Sequence, residues 1–103
     1  FTDMNLQELL TLFKEEEAVF VKFHAPWCGV CKLLTPYVEA QKTDLRFAKV
    51  KFVDVDVEAC EDIKEAFKIN NLPYFTGVKK GRVIKEFTTS KKNLIDEVLK
   101  ELI

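Results

Sequence analysis

A run of six residues at positions 18–23, AVFVKF, restricts the fold more than any other feature of the chain. It is short, and every residue except Lys22 is apolar. Such a run is typical of a strand that is buried on both faces, and burial on both faces requires a layer of structure on each side of the sheet. The sequence therefore predicts a central strand here.

Helical and extended patterns alternate around this strand. Four helices are predicted: at 5–16, at 29–41, at 60–67 and from Ser90, the predicted N-cap of the last helix, to the end of the chain. Three further strands are predicted at 49–57, 74–79 and 83–87, the last two joined by a Lys80-Gly81 turn. The order is α-β-α-β-α-β-β-α. We expect a single α/β domain over residues 1–103, with helices on both faces of a mixed sheet.

Composition excludes some classes of function. Sixteen basic and seventeen acidic residues leave a net charge of −1, which argues against a nucleic-acid partner or an anionic membrane surface. No apolar run approaches the roughly 20 residues that a membrane-spanning helix needs. Because the chain begins at Phe1, we expect a processed product or a domain of a larger multidomain protein.

Two of the three cysteines, Cys28 and Cys31, lie three positions apart in APWCGVCK, between the central strand and the next helix. A thiol exchanges disulfides as its thiolate, and a free cysteine has a pKa of roughly 8.5. The open N–H groups and partial positive charge of a helix N-terminus would stabilise a Cys28 thiolate. Cys31, one turn further, is placed to attack a mixed disulfide on Cys28. The spacing predicts that Cys28 attacks and Cys31 resolves.

Other uses of these cysteines fit less well. A structural metal site needs four ligands, and the chain adds only the distant Cys60 and the single His24 to the pair. A permanent disulfide across so short a loop stabilises little. A metal or cluster shared by two chains through their paired cysteines is a weaker alternative. Cys60 is predicted to be buried and inert, or a site of oxidation or dimerisation if it is exposed.

The segment VFVKFHAPWCGVCKLLTP resembles the active-site segment of the thioredoxin superfamily. Its Ala25-Pro26 is more similar to the catalytic domains of protein disulfide isomerases than to typical bacterial thioredoxins. The resemblance continues through FVDVDVEACEDIKEAFKINNLPYF and KKGRVIKEF. It implies a thioredoxin-like fold with the first strand largely missing, because residues 1–3 would match only the end of that strand.

The resemblance also implies the substrate-binding residues. Leu72-Pro73 is expected to be a cis peptide bond that faces the two cysteines, and cis bonds are essentially confined to proline. The Leu72 backbone would then pair with an extended substrate. Trp27 is expected to shield one side of the site, and it can be a half-buried core aromatic at the same time. Gly29 is expected to contact the substrate with it.

Val30 departs from the family, since thioredoxins have proline and disulfide isomerases have histidine between the cysteines. Valine has neither the charge of histidine nor the ring of proline. The sequence therefore does not fix the redox potential within the family's range of roughly −270 to −120 mV. The sequence does not choose between a reductase and an oxidase, and Val30 is also expected to contact the substrate.

Lys22 is the larger departure, because the family has a buried acid here that exchanges a proton with the resolving cysteine. Asp54 falls where disulfide isomerases have the lysine that pairs with this acid. We expect the pair to be kept with its polarity reversed, so that Lys22 is the cation and Asp54 serves the proton transfer. Alternatively, Lys22 extends outward and Asp54 faces solvent.

The predicted function is thiol–disulfide oxidoreductase, acting by reduction, formation or isomerisation of disulfides in cysteine-containing proteins. No bound cofactor is expected, since electrons would pass to or from a partner reductase, an oxidase or glutathione. The alternative is a client-binding module with weak redox activity. The likeness to disulfide isomerases favours the endoplasmic reticulum lumen or another secretory compartment, with the cytoplasm as the alternative.

Overall fold

The computed structural model describes residues 4–89 and 91–103. Every predicted helix and strand is present, with its described ends within two residues of the prediction. A short 3₁₀ helix, Leu45–Phe47, was not predicted. The helices are α1 (Leu6–Glu15), α2 (Gly29–Lys42), α3 (Glu61–Ala66) and α4 (Lys92–Glu101), and the strands are β1 (Ala18–His24), β2 (Val50–Asp56), β3 (Tyr74–Lys79) and β4 (Arg82–Thr88).

Helix α1 begins where the sequence predicts, because Asn5 caps it. The Asn5 side chain accepts a hydrogen bond from the Glu8 N–H at 2.8 Å, and the Glu8 carboxylate accepts one from the Asn5 N–H at 3.0 Å. This reciprocal pair is a capping box, which satisfies two N–H groups that the helix leaves open. Two predictions concern residues outside the described ranges: residues 1–3 as the end of a first strand, and Ser90 as the N-cap of α4.

The sheet is mixed, as predicted, and β1 is a central strand. Within the described part of the chain four strands lie in the order β2-β1-β3-β4. Strand β1 runs parallel to β2 and antiparallel to β3, while β3 and β4 form the predicted hairpin. The two-sided burial of residues 18–23 follows from this central position.

Helices cover both faces of the sheet, and the alternation of β1 decides which side chains meet which helices. Successive side chains on a strand point to opposite faces. Val19, Val21 and Phe23 pack in the cluster that contains residues of α1 and α3, whereas Ala18 and Phe20 pack in the cluster that contains residues of α2 and α4. Lys22 continues the second series, so it points toward α2.

Helix α2 is tied to α4 by a partly buried polar contact. The Tyr37 hydroxyl donates a hydrogen bond to the Asp96 carboxylate, and the Lys92 ammonium lies 5.3 Å from the centre of the Tyr37 ring. Burial and the bond to Asp96 raise the pKa of Tyr37 to about 12. The contact therefore persists across the physiological pH range and helps to fix the helix whose N-terminus carries the cysteines.

Candidate active site

The two cysteines lie where a buried strand gives way to a helix. Strand β1 ends at His24, and α2 begins at Gly29 with Cys28 as its N-cap residue. The Cys28 N–H donates to the Ala25 carbonyl at 3.1 Å, which fixes the turn between strand and helix. The positive end of the helix is therefore directed at Cys28.

Cys28 and Cys31 form a disulfide, with their Cα atoms 5.3 Å apart. The backbone N–H of Cys31 donates a hydrogen bond to Cys28 Sγ at 3.2 Å. A hydrogen bond to the charged form of a group lowers its pKa, so the same N–H would stabilise a Cys28 thiolate in the dithiol. Both cysteines are buried, with 5% of Cys28 and 2% of Cys31 exposed.

Exposed residues surround the disulfide on the protein surface. Trp27 is 66% exposed, and its indole N–H donates to the Glu58 carboxylate. Trp27 is therefore not a half-buried core aromatic, and its shielding role stays a prediction. Gly29 and Val30, in the first turn of α2, are exposed as well. These exposed residues border the buried disulfide.

The Leu72-Pro73 peptide bond is cis, which confirms the expectation from the family resemblance. Tyr74, the next residue, pairs with Phe23 near the carboxyl end of β1. Pro73 therefore lies at the same end of the sheet as the loop that leads to Cys28. The Pro73 carbonyl accepts a hydrogen bond from the Thr88 hydroxyl at 2.7 Å, which ties this turn to β4.

Lys22 is buried behind the cysteines, with only 4% of the residue exposed. Its Nζ donates to Thr35 Oγ1 at 2.5 Å, and Thr35 Oγ1 donates to the Cys31 carbonyl at 2.9 Å. Burial lowers the pKa of Lys22, while the negative charges of Asp54 and Glu39 oppose this shift. The alternative in which Lys22 extends to solvent is wrong.

Asp54 lies beside Lys22 in the sheet but is bonded elsewhere. The two residues are paired in the parallel register of β1 and β2, as the sequence predicts. Among the ion pairs of residues 4–89 and 91–103, however, Asp54 Oδ2 pairs with Lys42 Nζ at 3.5 Å and not with Lys22. Lys42 also pairs with Glu39 at 2.7 Å. Lys22 and Asp54 are thus electrostatic neighbours without a direct ion pair.

A cavity of about 310 Å³ joins these groups. Sequence reasoning missed two of its members, Thr35 and the His24 side chain, although spacing could have found them. Thr35 is one helical turn after Cys31, and His24 is two residues after Lys22 on the same face of β1. The lining residues are Lys22, His24, Ala25, Pro26, Cys31, Lys32, Thr35 and Asp54.

The third cysteine is separate from this site. Cys60 is 3% exposed and packs in the core cluster shared by α1 and α3, so the prediction of a buried residue is confirmed. Within the described ranges no group of three or more histidine, cysteine or acidic residues is placed to hold a metal ion. No helix in these ranges has the length and apolar character that crossing a bilayer requires.

Comparison with known proteins assigns the chain to a family. The sequence model of thioredoxin matches residues 1–101. The chain belongs to the thioredoxin family. Among its relatives, rabbit thioredoxin is 34% identical and human thioredoxin 31% identical, each over 88 residues that make up 85% of this chain and 82% of the relative.

Solved structures agree with this assignment. Mitochondrial thioredoxin 3 from Saccharomyces cerevisiae, in its oxidised form, superposes with a TM-score of 0.88 at 27% identity, over 94% of this chain and 90% of that one. The family and the Cys28–Cys31 disulfide together identify a thioredoxin-type thiol–disulfide oxidoreductase. The proteins compared here are thioredoxins, so the finer likeness to disulfide isomerase domains stays a prediction.

Proposed function

We propose that the reduced protein exchanges its dithiol with disulfides of cysteine-containing proteins, with Cys28 as the attacking residue. The Cys28 thiolate attacks one substrate sulfur, and the other substrate sulfur leaves as a thiol. Cys31 then attacks Cys28 Sγ and breaks the bond to the substrate, which releases the second thiol. Two electrons pass to the substrate, and the protein is left with the Cys28–Cys31 disulfide. A reductase or glutathione restores the dithiol.

One observation supports the division of roles most directly: the Cys31 N–H donates to Cys28 Sγ at the positive end of α2. A thiolate at this point gains a hydrogen bond and a favourable dipole. Cys31 lies one turn further along the helix and within bonding distance of Cys28. It is therefore suited to the second, internal attack.

The proposed substrate surface surrounds the disulfide. Trp27, Gly29 and Val30 lie exposed on one side. Leu72 and Pro73 precede β3 at the same end of the sheet, which supports our expectation that the Leu72 backbone pairs with an extended segment of the substrate by strand addition. Backbone hydrogen bonds depend little on the side chains of the substrate, so we expect the protein to act on many partly unfolded substrates.

Lys22 and Asp54 complete the proposed site behind Cys31. Lys22 balances negative charge on the sulfur, and Asp54 transfers the proton. Both line the cavity that reaches Cys31. Lys22 supplies the buried positive charge. Asp54, which is half-exposed, connects the cavity with solvent and passes the proton outward.

The direction of electron flow and the compartment depend on the redox potential. A potential near the reducing end of the family's range of roughly −270 to −120 mV suits a cytoplasmic reductase, and one near the oxidising end suits a folding catalyst in the secretory pathway. The isomerase role and the endoplasmic reticulum lumen, both suggested by Ala25-Pro26, stay predictions that equilibration with glutathione tests.

A direct assay tests the proposed function. Reduced protein is mixed with a disulfide-bonded protein substrate, and free substrate thiols are counted against the Cys28–Cys31 disulfide formed. We expect two substrate thiols for each protein disulfide. A Cys28→Ser/Cys31→Ser double variant serves as the control. If the wild type binds the substrate but releases no more thiol than this control, the client-binding module is the correct function.

A further inference from the structure

Lys22 is a buried cation whose bonded partner is a neutral group. Its Nζ donates to the Thr35 hydroxyl, and Thr35 in turn donates to the Cys31 carbonyl. Burial of a charge is costly unless an opposite charge or several hydrogen bonds compensate for it. In the disulfide form, compensation for the Lys22 charge therefore depends on more distant groups.

The charged groups around the cavity include fewer carboxylates than lysines, so the negative charge near Lys22 does not balance the positive charge. Strand β2 contributes Asp54, which is paired with Lys42, and Lys42 is shared with Glu39. Helix α2 adds Lys32, and β1 adds His24 at the end of the same face as Lys22. Three lysines thus face two carboxylates in the oxidised protein: Lys22, Lys32 and Lys42 against Asp54 and Glu39.

Reduction changes this balance, because it can place an anion on Cys31, which lines the same cavity as Lys22. An ammonium group near a thiol lowers the pKa of the thiol, and the thiolate raises the pKa of the amine by the same free energy. We propose that Lys22 is the counter-ion of the Cys31 thiolate whenever Cys31 ionises, in the mixed disulfide or in the dithiol at alkaline pH, and that it releases a proton when the disulfide closes. This inference deepens the proposed function and rests on it.

The step balances as follows. In the mixed disulfide, Cys28 is bonded to a substrate sulfur, and Cys31 is a thiolate beside the Lys22 ammonium. The Cys31 thiolate attacks Cys28 Sγ, the Cys28–substrate bond breaks, and the substrate sulfur leaves with the electron pair. Lys22, now without its anion, loses a proton through the half-exposed side of the cavity at Asp54, and the leaving thiolate takes up a proton from solvent.

Lysine titration by NMR tests the proposal without an activity assay. Protein labelled with ¹³C at lysine Cε is titrated in the disulfide and dithiol forms, and Lys22 is assigned as the signal missing from Lys22→Arg. We expect the titration midpoint of Lys22 to lie at least about one pH unit lower in the disulfide form than in the dithiol form, which is a tenfold lower proton affinity. Equal midpoints in the two forms would overturn the proposal.

Matched variants locate the cause of the shift. Under reducing conditions Cys31→Ser should keep the low midpoint of the oxidised protein, whereas Cys28→Ser should show the high midpoint, because it retains the Cys31 thiol. Asp54→Asn should lower both midpoints but preserve their difference. If Asp54→Asn abolishes the difference, Asp54 and not Cys31 is the group coupled to Lys22, and the proposal is wrong.

A rate measurement separates this inference from the proposed function. Cys28 is loaded with an aryl thiol as a mixed disulfide, and release of the aryl thiol by Cys31 is followed against pH. Lys22→Met should slow release about tenfold at neutral pH and move the profile to higher pH, and Lys22→Arg should restore most of the rate. Loading of Cys28 should be equal in all three proteins. If the wild type cannot be loaded, the proposed function fails; if release is independent of Lys22, only this inference fails.

Discussion

A Cys31→Ser variant is expected to accumulate mixed disulfides with its protein substrates, and a Cys28→Ser variant is expected to form almost none. The first attack needs only the Cys28 thiolate at the N-terminus of α2, while release of the substrate needs the second sulfur. A serine hydroxyl stays protonated and does not replace the attacking thiolate. Complete turnover should fall by a factor on the order of 10³ or more in both variants, because the two sulfurs act as one unit.

The trapped species can be counted by non-reducing electrophoresis and mass spectrometry after rapid acid quenching. The Cys28→Ser/Cys31→Ser double variant measures background bonding, including any through Cys60. If Cys28→Ser traps as much substrate as Cys31→Ser, the two roles assigned here are exchanged. Equal and negligible trapping by both variants would remove the covalent mechanism.

Replacing Lys22 with methionine is expected to stabilise the oxidised protein by on the order of 1 kcal/mol at neutral pH, because a buried ammonium without a direct ion pair is costly. Lys22 is 4% exposed, and its burial lowers the pKa of its ammonium below the ordinary 10.5. Between the lowered folded value and 10.5 the unfolded chain therefore binds more protons than the native chain. The stability of the wild type rises with pH in this window and falls as pH decreases.

The increase in the free energy of unfolding caused by Lys22→Met should therefore be largest below the lowered pKa of Lys22. It should shrink as the pH rises to about 10.5, where the amine is neutral in both states. Urea unfolding of the oxidised proteins at several pH values measures it. Lys51→Met is the matched control, since Lys51 is exposed on β2 and its replacement should change the stability by less than about 0.5 kcal/mol. If Lys22→Met is destabilising at every pH, the bond to Thr35 and the attraction to Asp54 outweigh the cost of burial.

Most of the fold could be predicted because local patterns agree with the tertiary structure. The apolar run of β1 indicates a central strand, and the period of two along it assigns each side chain to one face. The same period places Lys22 on the face that α2 covers. The 3₁₀ helix at Leu45–Phe47 was not predicted, because three residues carry too little periodicity to be recognised.

The site could be predicted only in part, for a physical reason. Strand register put Asp54 beside Lys22, as expected. The partner that Asp54 binds, however, depends on how α2 lies across the sheet, and that placement brings Lys42 within 3.5 Å of it. Thr35 was missed because it is an exposed residue of α2, and only the packing of α2 on the sheet brings its hydroxyl within 2.5 Å of Lys22 Nζ.

The likeness to disulfide isomerases shows a related limit of short motifs. It rested on two residues, Ala25 and Pro26, while the family assignment rests on residues 1–101. A dipeptide in a loop changes little of the packing that a whole domain must preserve. The redox chemistry follows from the family and the paired cysteines, while the direction of electron flow stays a prediction that depends on the redox potential.

The titration of Cys28 in the reduced protein tests the central claim most directly. The rate of alkylation of Cys28 is measured against pH, with mass spectrometry to distinguish it from Cys31 and Cys60. A thiolate stabilised by the Cys31 N–H and the helix N-terminus predicts a midpoint at least about one pH unit below the roughly 8.5 of an unperturbed thiol. A midpoint at or above that ordinary value would contradict the assignment of Cys28 as the attacking residue.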